Sequence, residues 1–217
     1  MHIVRLFAIQ NDFISSVSHE LRTPLTAISG WADTIENCLD DPKLAAQGLS
    51  IIKKETRRLS QMVEELLDFS RIQNGRLTMN FGKVDIVAEL SDAVLMFSER
   101  AKRDNRTLEY TEPDDFAVMQ ADRNRLRQVF INIIDNALKY TNPGGTVRVA
   151  AYEDDGFIRV IIKDSGCGIP QEHLPHIKKK FYKGSSKARG SGIGLAVCDE
   201  IIRLHGGEFE IANARGG

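Results

Sequence analysis

In the stretch SSVSHELRTPL, residues 15–25, His19 stands beside Glu20, with Thr23 and Pro24 one turn later. An imidazole next to a carboxylate suits nucleophilic chemistry: the carboxylate takes the Nδ1 proton or fixes the tautomer, and Nε2 attacks. At about 100° per residue from Phe13, the apolar residues Val17, Leu21, Leu25, Ile28 and Ile35 fall between about 40° and 120°. His19 falls at about 240°, Thr23 at about 280° and Glu20 at about 340° on the same wheel, so the imidazole points away from the apolar stripe. Pro24 has no N–H for the Glu20 carbonyl, and the helix is expected to bend there. A surface histidine beside a glutamate is more often a solvated face, and the pair alone decides nothing.

A second set lies in residues 123–141. Leu126, Val129, Phe130, Ile133, Ile134 and Ala137 mark one apolar helix face, and Asn132, Asn136 and Lys139 form a strip along its edge. Two amides and a cation in a row offer oxygens to a hard metal and positive charge to phosphate. A plain polar shoulder has the same pattern. DSGCGIP, residues 164–170, closes a β-branched run with a carboxylate and two glycines. The glycines permit close backbone approach to a flat ligand or a turn with positive φ. GSGIGLA, residues 190–196, opens a helix whose N–H groups suit an anion. It is no Walker loop, since no Gly-Lys-Ser/Thr follows, and no dinucleotide fingerprint, since a loop precedes it.

These residues need elements to hold them. Residues 7–74 read as two long helices broken at CLDDPKLA, with Pro42 suited to a first helical turn. In the second, Ile52, Leu59 and Leu66 repeat every seven residues with Val63 between them, a seam like that of a coiled coil. Two helices with so narrow a seam are expected to pair with a second copy as a four-helix bundle; the alternative is an internal two-helix layer. After Gly75 the pattern changes. Residues 84–103 and 123–141 read as helices and RTLEYTE as a strand. TVRVAAYEDDGFIRVIIKDS reads as a hairpin turning at Asp-Asp-Gly. A helix over 192–205 and a strand over 207–212 complete the pattern. Helices among antiparallel-type strands predict a two-layer α/β sandwich, for an α+β fold overall.

Bulk properties exclude some classes. With 29 basic and 30 acidic residues the net charge is −1, so no strong field favours nucleic acid or an anionic membrane. Composition, 42% hydrophobic and 27% charged, is that of a globular protein able to bury a core. Cys38, Cys167 and Cys198 lack disulfide or metal spacing and are expected to be small packing residues in a reducing cytosol. No run of 18 apolar residues and no signal peptide occurs. The chain is expected to be an excerpt of a longer protein.

Taken in order, SHELRTPL, NIIDNALKYT, DSGCGI, KKKFYKG and GSGIGLAV resemble the H, N, G1, F and G2 boxes of the sensor histidine kinases of two-component systems. The resemblance covers essentially the whole chain. It implies a dimerisation and phosphotransfer domain of the HisKA type at 1–75 and an ATP-binding domain of the GHKL type at 76–217. It further implies that His19 accepts the γ-phosphoryl group of ATP from a separate domain, with Glu20 as general base. Thr23 would orient water when the same domain dephosphorylates a response regulator. Asn136 would coordinate Mg²⁺ with Asn132 beside it; Lys139 would approach phosphate and Tyr140 would pack by the adenine. Asp164 would accept the adenine amino hydrogen, and Gly166 and Gly168 would let backbone close on the base. Gly190, Gly192 and Gly194 would let lid and helix amides meet the phosphates, with Ile169, Lys183 and Leu195 also at the nucleotide. The implied partners are a second copy, the receiver domain of a response regulator, and a membrane reached only through segments absent from this chain. The implied location is cytoplasmic, with no nucleic-acid partner.

Three departures from the family pattern stand out. Lys183 occupies the place of an arginine after Phe-Tyr, a point charge without the bidentate fork. The lid between Phe181 and Gly190 is short. The last strand, which in the family follows the closing Gly-Gly, is expected to be missing. Chaperones, mismatch-repair proteins and gyrase share the second half but lack the H box and use a Glu in the N box, where this chain has Asp135. A non-catalytic scaffold that only docks a regulator is a further alternative. The basic stretch HIKKKFYKGSSKAR, the pair His173 and His176, and an oxidisable Cys167 suggest weaker readings: a nucleic-acid patch, a metal site and a redox site.

Overall fold

The computed structural model describes residues 3–37, 40–113, 118–180, 182 and 192–214, with the side chains of 3–14 and 16 outside the described set. The chain divides into two compact units, Met1–Arg76 with Lys180–Ile193, and Leu77–Lys179 with Gly194–Gly217.

The first unit is a helical hairpin of α1 (Ile3–Asn37) and α2 (Pro42–Gln73). Pro42 stands at the first helical position, where its missing N–H costs nothing, and Asp41 Oδ1 accepts the N–H groups of Lys43 and Leu44 at 3.0 and 3.1 Å. Gly75, at φ +61°, ends α2 by letting Arg76 N–H reach the Arg71 carbonyl at 2.8 Å and its own N–H reach Ile72 at 3.1 Å. Pro24 does not interrupt α1, which stays helical on both sides of it. Pro24 leaves the Glu20 carbonyl without its backbone partner, and the proline side chain is fully buried. Gly48 is buried because α1 presses on it: a Cβ there would lie 2.8 Å from both Trp31 Cε3 and Ile35 Cδ1. The predicted seam residues Ile52, Leu59 and Leu66 are half-buried, whereas Leu25, Leu49, Val63 and Leu67 stay 45–52% exposed.

The second unit carries the sheets. β1 (Gly82–Asp85) pairs antiparallel with β3 (Val118–Ala121), and β2 (Thr107–Thr111), β4 (Thr146–Asp154) and β5 (Phe157–Asp164) form a three-stranded sheet in the order β2-β4-β5. β4 and β5 are antiparallel from Val147↔Asp164 to Asp154↔Phe157. Asp155 and Gly156, at φ +50° and +77°, make the two-residue turn that matches the twist of the strands. β2, however, runs parallel to β4 in register Thr107↔Thr146, so the sheet is mixed rather than antiparallel. The reason is the long crossover between them, which carries β3 and a helix and returns the chain in the same direction.

α3 (Ile86–Arg103), α4 (Arg123–Tyr140) and α5 (Gly194–Leu204) supply the helical part of this unit. Alternate residues of β4, Val147, Val149 and Ala151, join Leu90, Ile134 and Leu138 in the core, while Arg148 and Tyr152 face out. The helix expected from 84 begins at Ile86, because Val84 and Asp85 end β1 and Asp85 Oδ1 caps Ala88 N–H at 3.0 Å. Ion pairs tie α3 to α4: buried Glu89 meets Arg123 at 2.5 Å and Arg127 at 3.7 Å, and Arg100 binds Asp135. The strand expected over 207–212 does not form. Instead, the Gly207 N–H closes on the Ile202 carbonyl at 3.0 Å and Lys178 Nζ donates to the Phe209 carbonyl at 2.7 Å. Cys198 is buried as expected of a packing residue, Cys167 is exposed, and Cys38 lies outside the described residues. Among the described residues no helix is long and apolar enough to cross a membrane.

Asp122 fastens the start of α4. Its carboxylate accepts N–H groups from Arg125 at 3.1 Å and Asn80 at 2.7 Å, and its own N–H donates to His205 Nε2 at 2.9 Å. Burial alone would push this carboxyl up. The N–H bonds from Asn80, Arg125 and Asn124, with the Arg125 charge, outweigh burial and hold it below its usual value. Its stabilising contribution is therefore complete above the unfolded value of about 3.9 and is lost as pH falls through the lower native value. Unfolding midpoints measured from pH 6 downward should decline more steeply below about pH 4 in the unaltered chain than in Asp122→Asn.

Candidate functional site

The first group of predicted residues lies on α1. His19 is exposed, opposite the side of the helix that meets α2. Glu20 turns inward: its side chain is 15% exposed and its Oε2 lies 3.9 Å from Arg58 Nη2 of α2. Arg58 also lies 3.6 Å from Glu55 on its own helix. Thr23 is exposed and its Oγ1 donates to the His19 carbonyl at 3.2 Å, tying the threonine to the turn that carries the imidazole. Arg58 went unforeseen, because nothing in α2 alone shows which of its arginines faces Glu20.

The second group gathers in the α/β unit around α4. Asn136 Nδ2 donates to Asn132 Oδ1 at 2.9 Å, so the two amides expected to share a strip do so and are bonded. A Cβ at Gly194, the first residue of α5, would lie 2.6 Å from Asn132 Nδ2. The start of α5 therefore stands directly against the Asn132 amide, and a Cβ there would push that side chain aside. At the C-terminal end of α4, one turn beyond Asn136, a Cβ at Gly166 would lie 2.5 Å from the Tyr140 carbonyl and 2.7 Å from Asp164 Oδ1. Tyr140 is 47% exposed, and Lys139 Nζ sits 4.9 Å from the centre of its ring.

The loop after β5 has a definite shape. Asp164 is exposed, and its Oδ1 accepts the Gly166 N–H at 2.8 Å. Gly168 takes φ +68°, a conformation that favours glycine. Ile169 is half-buried, and its backbone N–H and carbonyl both bond the Asn213 side chain. Leu195 is half-buried in the first turn of α5, and Gly192 has φ +69°. Lys183 and Gly190 lie outside the described residues, as does most of the short lid and of the basic stretch 176–189. Among the described residues no three His, Cys, Asp or Glu side chains cluster as metal ligands, His173 and His176 included.

This arrangement matches a nucleotide site in chemistry. Side-chain amide oxygens are hard donors for a divalent cation. The N–H groups at the start of α5 and its dipole favour phosphate. An exposed carboxylate beside glycines suits the amino edge of a purine.

Comparison with known proteins agrees. Residues 9–75 match the His Kinase A (phospho-acceptor) domain, and residues 121–217 match the histidine kinase-, DNA gyrase B- and HSP90-like ATPase family. The sensor protein SrrB of Staphylococcus aureus is 34% identical over 214 residues, covering 95% of this chain. The chain spans 36% of that relative's length. The histidine kinase ThkA, solved in complex with the response regulator protein TrrA, superposes with TM-score 0.71 at 25% identity, over 98% of this chain and 60% of that one. Full-length ShkA in complex with AMPPNP superposes with TM-score 0.64 at 27% identity, over 88% and 40% of the two chains. A phospho-acceptor domain around an outward histidine, followed by an ATPase domain around paired asparagines, makes the chain a member of the sensor histidine kinases of two-component systems.

Proposed function

We propose that the chain is an ATP-dependent protein histidine kinase core that phosphorylates its own His19, passes the group to an aspartate of a response regulator, and removes it again as a phosphatase. The observation that carries this reading is the approach of Gly194 to Asn132, which bonds Asn136 in the C-terminal half of α4, with Gly166 beside Tyr140 and Asp164 at the last residue of the same helix. At Gly166 a side chain is excluded by the Tyr140 backbone, which leaves that edge of the site to main chain.

In this reading residues 1–75 dimerise and carry the phosphoryl group, and residues 76–217 bind ATP. The His19 Nε2 lone pair forms a P–N bond to the γ-phosphorus while the bond to the β–γ bridging oxygen breaks and ADP leaves. Glu20, whose carboxylate faces Arg58 of α2 in this structure, turns from it to take the Nδ1 proton. Asn136, supported by Asn132, holds Mg²⁺, which when bound neutralises charge on the β- and γ-phosphates. Lys139, the α5 N–H groups, Gly190, Gly192, Leu195 and Lys183 attend the phosphates, and Asp164, Gly166, Gly168, Ile169 and Tyr140 attend the adenine. Thr23 orients the attacking water in the phosphatase direction. Asp135 is engaged by Arg100, which counts against its acting as the water-activating acid of the chaperone-type ATPases.

Exposed Leu25, Leu49, Val63 and Leu67 on the hairpin favour a second copy closing a four-helix bundle. The complex of ThkA with a response regulator supports a receiver domain as partner. The greater length of the sensor protein SrrB supports a cytoplasmic piece of a membrane-bound parent.

Incubation with γ-labelled ATP and Mg²⁺ tests the reading. The protein should acquire label that is labile to acid and stable to base, as a phosphoramidate is. Acid-stable label, or none despite ATP binding, would overturn it.

A further inference from the structure

The loop that carries Asp164 is fastened at two places. At its start, Ser165 N–H donates to the Thr146 carbonyl at 3.0 Å and Thr146 N–H returns to Ser165 Oγ at 2.8 Å. At its end, the Ile169 N–H donates to Asn213 Oδ1 at 2.8 Å, and Asn213 Nδ2 donates to the Ile169 carbonyl at 2.7 Å. The two unlike partners fix which way the amide faces. One side chain thus does for Ile169 what a neighbouring strand residue would do, exchanging a donor and an acceptor with the same backbone unit. The partners are 44 residues apart in sequence, and Asn213 directly follows the segment 207–212, expected to be a strand, which forms none. Asn213 also lies against the glycine turn: a Cβ at Gly168 would be 3.2 Å from its Oδ1. Pro170 follows at once and has no N–H to share the load.

We propose that Asn213 is a positioning residue for base recognition, clamping Ile169 so that the loop from Asp164 to Gly168 holds the shape that distinguishes adenine from guanine. The inference rests on the nucleotide reading above. The carboxylate of Asp164 can accept from the amino group of adenine, whereas guanine offers a carbonyl oxygen at that place and is repelled. That discrimination depends on the carboxylate staying where it is, and Ser165 and the Asn213 clamp hold the two ends of its loop. Phosphate contacts lie elsewhere, at α4 and the start of α5, so releasing the clamp should affect the base and spare the phosphates.

The test is equilibrium binding of ATP, GTP and inorganic tripolyphosphate to the full chain and to Asn213→Ala and Asn213→Asp. Two hydrogen bonds of ordinary strength make the expected loss of ATP affinity in Asn213→Ala about tenfold. Tripolyphosphate affinity should stay as it was, and the preference for ATP over GTP should fall. Asn213→Asp keeps the acceptor for the Ile169 N–H and loses the donor, so it should fall between the two. Unchanged ATP affinity in both variants overturns the clamp, as does an equal loss for all three ligands, which would signify a merely structural role. If the unaltered chain binds tripolyphosphate but shows no preference for ATP, the adenine reading itself fails and the clamp's role fails with it.

Discussion

His19→Gln should lower incorporation of label from γ-labelled ATP to the assay background while leaving ATP affinity within about twofold of the unaltered chain. The expectation follows from where the imidazole sits. His19 is exposed on α1, and glutamine is a better helix former of similar size, so the helix gains nothing to repair. What is lost is the ring nitrogen that forms the P–N bond, and an amide nitrogen is no nucleophile at neutral pH. Because attachment needs that atom, the effect is all or none rather than graded. Retention of acid-labile label in His19→Gln would move the acceptor to another residue and sink the assignment. Loss of label together with loss of ATP binding would show instead that the variant had misfolded, which circular dichroism of the same sample would register.

Asn136→Ala should weaken ATP binding in the presence of Mg²⁺ on the order of a hundredfold, since a contact to a charged group contributes about 1.5–3 kcal/mol. Binding without the metal should change much less. The Asn136 amide nitrogen is spent on Asn132 Oδ1 at 2.9 Å, which leaves its carbonyl oxygen for the task proposed above, ligating a hard cation. Alanine removes that oxygen and the brace on Asn132 together. Titration with ATP at zero and millimolar Mg²⁺ separates the two contributions. An equal loss in both series would make Asn136 a structural residue, and no loss in either would leave the metal to other groups.

Much of the face proposed for the nucleotide could be read from spacing alone. Asn132 and Asn136 are one helical turn apart, and a wheel places them together as soon as α4 is recognised. Asp155-Gly156 announces its turn because few residues other than glycine and asparagine or aspartate accept positive φ. What escaped is what tertiary contact creates. β1 and β3 are four residues each, too short for an alternating pattern, and they exist because each pairs with the other. Val84 and Asp85 adjoin the helical run and are claimed by that pairing instead. The parallel run of β2 beside β4 cannot be seen in either strand, since it is set by the crossover between them. Residues 207–212 have the composition of a strand, yet a strand needs a ladder partner, and Phe209 gave its carbonyl to a lysine instead. Arg58 and Asn213 share that origin: an ordinary polar residue becomes part of a site only when a distant element arrives beside it.

The close approach of α1 to α2 at Gly48 has an optical consequence. Trp31, pressed against that glycine, is the chain's single tryptophan. Light that excites indole alone therefore reports from one level of the helical hairpin and from nowhere else, with no engineered dye. A shift in emission when ATP is added to the α/β unit would be a direct spectroscopic record that the news had reached the helices.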